Sequence, residues 1–245
     1  MAFHTFLQAI EVSRRSGLLT TGKRDMCFSA TANFVGSGVL GAVGIVTLTK
    51  VKHRRELLFA SLPTLFALHQ FIEGFVWLGL DGVLSAKVAH NMGAAFVLFA
   101  QGLLPFLMPL SVMLFEQTRA RRRAMMPFVI LGGLLALYML WGLAAYPLRV
   151  SVDRHSIVYV NDATNMTWVA VLYIIATCGS LFFSRVRMMV AFGMANLIIL
   201  LVVIDLKRYA GVSVWCAYAA VASVIILIYF RRSEEARPFQ YIEAI

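Results

Sequence analysis

Charge is what this chain has least of. Only 14% of its 245 residues are charged, and acids are the rarer sign, with 12 Asp and Glu against 22 Lys and Arg. Hydrophobic residues make up 60% and the mean hydropathy is +0.80. That balance excludes a water-soluble domain and indicates an integral membrane protein. Three cysteines exclude a disulfide scaffold. No tandem repeat or low-complexity linker occurs, so one compact membrane domain is expected. No His-x-x-x-His or His-Glu-x-x-His is present, which removes the two-histidine zinc helices. No lysine lies in the last apolar segment to carry the Schiff base of a microbial rhodopsin. The net charge of +10 does not indicate nucleic acid, because the positive residues sit in short runs between apolar segments, as membrane orientation requires.

What the chain has is long apolar runs. Seven are expected to span, at Ala32–Thr49, Leu57–Leu80, Val88–Phe115, Met125–Tyr146, Thr167–Ser184, Met188–Ile204 and Val212–Phe230, each near the ~20 residues that a crossing needs. Basic residues follow the first, third, fifth and seventh: Lys50 to Arg55, Arg119 to Arg123, Arg185 with Arg187, and Arg231 with Arg232. The positive-inside rule then puts the N-terminus outside and the C-terminus, with tail 233–245, in the cytoplasm. The fold class read from this is an all-α seven-transmembrane-helix bundle occupying 26–232. A multi-pass protein of a bacterial inner membrane is expected, with the bilayer as its first partner. The run Arg119 to Arg123 is an orientation signal first and an anionic-lipid contact second. Between helices 4 and 5, Arg149-Val-Ser-Val and Ser156 to Val160 alternate around Asp153-Arg154-His155, which predicts a short outer β-hairpin that could act as a lid. Residues 1–25 are mixed and carry Arg14, Arg15, Lys23 and Arg24. They read as a surface helix, a flexible tail or a non-native extension upstream of a start at Met26. The charge argument favours the last.

Gly36-Ser37-Gly38-Val39-Leu40-Gly41 matches a dinucleotide fingerprint on paper, but no strand precedes it and it lies within a span. Ser37/Gly41 and Gly38/Ala42 are better read as small-xxx-small pairs for close helix packing. Pro63, Pro105 and Pro109 are expected to bend their helices.

Polar groups inside the spans carry the functional reading. His69 and Glu73, spaced i,i+4 on helix 2, project from one face, and Trp77 continues it. A charged acid there costs about 2.5 kcal/mol or more at the centre of an isolated helix, so it must face the interior and find partners. At ~1.5 Å per residue, His69, Gln101 and Asn196 fall in a middle layer. Glu73, Cys27, Ser29, Cys216, Asp205 and the hairpin's His155 fall in an outer layer, with Trp215 beside Cys216. Two readings of His69 and Glu73 stand open. They could be a metal site or acid–base pair, with Cys27 and Cys216 as soft further ligands for zinc or another transition metal. They could equally be a hydrogen-bonded network with Gln101 and Asn196 that orders the bundle. Cys27 and Cys216 could be thiolate ligands, a disulfide or packing residues.

Met26-Cys27-Phe28-Ser29-Ala30-Thr31-Ala32-Asn33-Phe34, His69-Gln70-x-x-Glu73-Gly74-x-x-Trp77 and Ser213-Val214-Trp215-Cys216 resemble the signatures of an uncharacterised family of bacterial seven-helix membrane proteins, a domain of unknown function. The resemblance covers Met26 to about Arg232 and implies that members begin at the equivalent of Met26. It brings no activity with it.

From the residues, the leading functional expectation is a membrane-embedded metal-dependent hydrolase. Glu73, His69 and Cys27 would be catalytic, with His69, Glu73, Cys27 and Cys216 as ligands and a lipid-like amide or ester as substrate. The alternatives are a transporter or metal-handling protein, and a sensor or accessory subunit of a larger membrane complex.

Overall fold

The structure is a computed structural model and describes residues 29–116, 118–153, 156–184, 186–205 and 211–235. The readings made above for residues 1–25, Cys27 and His155 lie outside the described residues. Seven helices form among the described residues. They are α1 (Ala30–Thr49), α2 (Arg54–Leu80), α3 (Ala86–Phe115), α4 (Arg119–Ala145), α5 (Thr167–Phe182), α6 (Arg187–Asp205) and α7 (Gly211–Glu235). The hairpin stands where the alternation placed it, with β1 (Arg149–Asp153) antiparallel to β2 (Ser156–Val160) and Val150 opposite Tyr159. Helices α1 to α4 are long and apolar enough to cross a membrane.

The helices outrun the apolar segments mainly at their basic ends. Arginine and alanine are good helix formers, so α4 starts at Arg119 rather than Met125. The far end of α2 is stopped by Gly82, whose φ of +77° only glycine adopts without cost. The helices run alternately up and down, with α7 packed against α1, α2 and α6. One end of the bundle therefore gathers the basic segments and the other carries the hairpin. Phe59, Phe115, Phe192 and Phe230 fill the core of the basic half. The hairpin is packed rather than free: Ile157 is buried with Val76 and Trp77.

Outer faces are apolar. Ile130, Leu134, Leu137 and Trp141 repeat at helical spacing along α4 and are 52–64% exposed. Apolar stripes of this kind mark a surface that meets lipid or another protein. At the hairpin end Tyr138, Trp141 and Trp168 cluster, with ring centroids 5.0–5.6 Å apart.

The small-residue reading of α1 holds in one half only. Ser37 Oγ donates to the Ala67 carbonyl at 2.8 Å. A Cβ added to Gly41 would touch Ala67 at 3.8 Å, and one on Gly44 would collide with Thr64. Gly38, by contrast, has nothing within 4 Å. The pair Gly38/Ala42 is on the outer face and does not serve the α1–α2 contact.

Proline effects also differ from expectation in detail. Pro63 sits just after an interruption at Ser61, at the start of the helical run Leu62–Leu80. Before Pro105, α3 widens into a π turn over Leu98–Leu103. In that winding the Ala100 carbonyl would take the N–H of residue 105, which proline lacks. Tyr173 of α5 supplies the missing donor, its hydroxyl 3.0 Å from that carbonyl.

Candidate functional site

Faces of α1, α2 and α3 meet the hairpin toward the far end of α2. His69, Gln70, Glu73 and Trp77 are all buried, at 1–7% exposure. The i,i+4 spacing of His69, Glu73 and Trp77 puts them on one face of α2, which turns inward. Toward α1, Glu73 meets Asn33. With its amide nitrogen toward the carboxylate and its oxygen toward the indole, Asn33 donates to Glu73 Oε2 at 3.1 Å and accepts from Trp77 Nε1 at 3.2 Å. Only this orientation gives both neighbours a complementary partner. Gly74 admits the Phe34 ring, which a Cβ would meet at 2.7 Å, and so lets α1 approach.

Toward α3, His69 lies in an aromatic slot. Its ring stacks on Phe96 with centroids 3.8 Å apart and planes 19° apart, and Phe99 stands at 5.0 Å. Phe96 in turn stacks on Tyr159 of the hairpin at 4.7 Å and 15°. The hairpin thus reaches the buried imidazole through one intervening ring. The imidazole hydrogen-bonds the backbone of Phe96, while its Nε2 is buried with no partner. Nδ1 is therefore the nitrogen toward that backbone. A bond from Nδ1–H to a carbonyl leaves Nε2 with a bare lone pair, the tautomer of a metal ligand or a general base.

No hydrogen bond joins His69 to Glu73: Nε2 is unpartnered and the other bond goes to Phe96. The other expected residues divide as follows. Ser29 caps α1, its Oγ accepting from Ala32 N at 3.3 Å. Gln101 sits in the π turn, with its Oε1 buried and unpartnered. Asn196 bonds not to His69 but to Cys178 Sγ, at 3.5 Å. Asp205 closes α6, and Trp215 and Cys216 lie in the first turns of α7; their side chains, with Cys27 and His155, are outside the described set. Among the described residues no three His, Cys, Asp or Glu side chains converge on a metal position.

Asn33 was missed as a site residue, although a signal for it exists. It lies i−4 from Ser37 and i−8 from Gly41, on the α1 face that packs on α2. Once that face is assigned, Asn33 must look toward Glu73 and Trp77.

No curated protein and no solved structure matches the chain. A family profile does, over residues 26–240, a stretch that includes all seven helices, the hairpin and every residue of the site just described. The chain belongs to the family of unknown function DUF6629.

Proposed function

We propose that this chain is a multi-pass protein of a bacterial inner membrane. Its seven helices all cross the bilayer, the N-terminus and hairpin outside and the C-terminus inside. The apolar outer stripe of α4, the aromatic cluster at the hairpin end and the collection of arginines at the other end support this reading. Within it, the site at His69 and Glu73 binds one soft divalent cation, zinc before others, and serves a hydrolase that opens toward the hairpin side.

The observation that carries the metal reading is the state of His69. One nitrogen is tied to the Phe96 backbone and the other is bare and buried. Leaving a buried acceptor unmet costs about 1–3 kcal/mol, and a ligand on Nε2 would remove that cost. Glu73 is held toward the same interior by Asn33. Cys27, two residues before the cap Ser29, and Cys216 on α7, which packs against α1 and α2, would supply soft ligands beside His69, so that three protein ligands leave the fourth position open. A bound zinc brings a water nucleophile at neutral pH. Glu73 would be the group that holds and passes on a proton in such a hydrolysis, and His69 would hold the metal through Nε2. Substrates of a site at this depth are lipid-like amides or esters.

The test is elemental analysis of protein purified in mild detergent without chelator. About one equivalent of zinc is expected, lost in His69→Ala and reduced in Glu73→Ala, Cys27→Ala and Cys216→Ala. A well-folded wild type that takes up no metal on reconstitution would overturn the metal site. Bound metal with no turnover of lipid amides or esters would leave metal handling as the reading of the same site.

A further inference from the structure

The opposite end of the bundle carries charges that the protein itself does not neutralise. Arg54 and Arg55 open α2, Arg119, Arg121 and Arg123 open α4, and Arg187 opens α6. Among the described residues none of Arg54, Arg55, Arg119, Arg123 and Arg187 has an ion-pair partner. Arg119 and Arg121 of α4 are also misplaced for helix stability, since cations in a first turn are opposed by the helix dipole and no acid accompanies them. Their positions are nevertheless built. Glu116, buried at the end of α3, accepts from Ser184 Oγ at 2.7 Å, and its carbonyl accepts from Arg122 Nε at 2.8 Å. Ser184 Oγ also accepts from Val186 N at 3.2 Å, and Arg121 Nη1 donates to the Phe183 carbonyl at 3.1 Å. This frame ties the end of α3, the start of α4 and the α5–α6 connection together. The start of α2 packs on the end of α3. Three helix starts that carry unpaired arginines therefore flank one fixed node, beside apolar outer faces.

We infer that this node is a binding site for an anionic phospholipid, with a headgroup of two phosphodiesters preferred to one. Guanidinium forks match phosphate oxygens bidentately, and acyl chains attached to such a headgroup would lie along the exposed apolar faces of the helices. A zwitterionic lipid offers one phosphate cancelled by its own cation. A single-phosphate anionic lipid leaves part of the cluster unmet. The inference rests on the membrane reading above and is independent of the metal site.

The experiment reconstitutes the full chain in vesicles of zwitterionic lipid alone, with a monoanionic lipid, and with a diphosphatidyl lipid at matched charge. Lipid retained through detergent extraction is then counted by native mass spectrometry. Retention of the diphosphatidyl lipid in preference to the other two is expected. Arg119→Gln/Arg123→Gln/Arg187→Gln should weaken it on the order of 100-fold, each arginine near an anionic surface contributing about a factor of five. Arg123→Gln alone, a milder change for the fold, should weaken it by about that single factor. Equal retention of all three lipids, or unchanged retention in the variants, overturns the site. Competition by inorganic pyrophosphate as effective as by the lipid would also overturn it, since the chains would then contribute nothing. A chain that enters none of the vesicles fails the membrane reading instead, and the two failures are told apart by flotation.

Discussion

Asn161 and His69 are equally buried, at 1% and 3% exposure, and the protein treats them in opposite ways. Asn161 follows β2 and uses its whole amide. Its Nδ2 donates to the Gly142 and Tyr146 carbonyls at 3.1 and 3.0 Å, and its Oδ1 accepts from Ala163 N and Thr164 N at 3.1 and 3.2 Å. Those bonds finish the C-terminus of α4 and fold the chain back toward α5, with Tyr138 adding a bond to the Ala163 carbonyl at 2.9 Å. His69 is the opposite case: its Nε2 is buried without a partner. A polar group retained for architecture is satisfied, because each bare one costs stability. A bare buried acceptor costs stability, and under the proposed function a ligand on His69 Nε2 would remove that cost.

The largest effect should therefore come from the satisfied residue. Asn161→Ala removes one partner from each of two carbonyls and two amides at once and is expected to cost on the order of 3 kcal/mol, measured by steric-trap unfolding in bicelles. Asn161→Asp should be no milder, since it keeps the acceptor but sets a carboxylate oxygen against the carbonyls of Gly142 and Tyr146. A loss under ~1 kcal/mol in both would break the comparison.

Much of this was legible before any coordinates. The seven segments follow from apolar run length, and the hairpin follows from alternation around Asp153-Arg154-His155. Depth from helix rise put Glu73 toward the hairpin end, where it lies. Rotation was not legible, and it decides who meets whom. Asn196 shared a depth with His69, yet it turns to Cys178 across the α5–α6 contact. The π turn defeats periodicity outright, since a widened turn shifts every later residue of α3 around the axis relative to a 3.6 repeat. Asn161 was invisible because its partners are main-chain groups, which carry no residue-type signal.

Asn33 sits between the extremes and should give the middle effect. It joins a carboxylate to an indole, so Asn33→Leu removes a charge-assisted bond as well as the acceptor for Trp77. About 2 kcal/mol is expected, together with a shift of the Trp77 indole N–H resonance. Asn33→Asp should cost more, by placing an acid 3.1 Å from Glu73 Oε2. If Asn33→Leu proved neutral while the indole resonance stayed put, the assigned amide orientation would be wrong.

Tyr159 tests how far the hairpin supports the site. Tyr159→Leu removes one ring of the stack while keeping an apolar group against Phe96, and a loss of about 1 kcal/mol is expected. Metal occupancy should survive it if the hairpin only covers the site. Loss of occupancy with retained fold would show that the imidazole depends on the stack for its orientation.

The smallest change in stability should come from the residue on which the function is proposed to depend most. His69→Phe keeps an aromatic ring in the slot between Phe96 and Phe99 and deletes the bare Nε2. The penalty removed at Nε2 offsets the hydrogen bond lost to the Phe96 backbone, each about 1 kcal/mol. The expected change in unfolding free energy of the metal-free protein is within ~1 kcal/mol, and metal uptake should vanish. Gln101→Leu should be as quiet in stability and leave uptake intact, since its acceptor lies in the π turn rather than on the α2 face. A loss near that of Asn161→Ala for His69→Phe would instead mean that the imidazole is architectural. The contrast between the two regions would then be one of geometry and not of purpose.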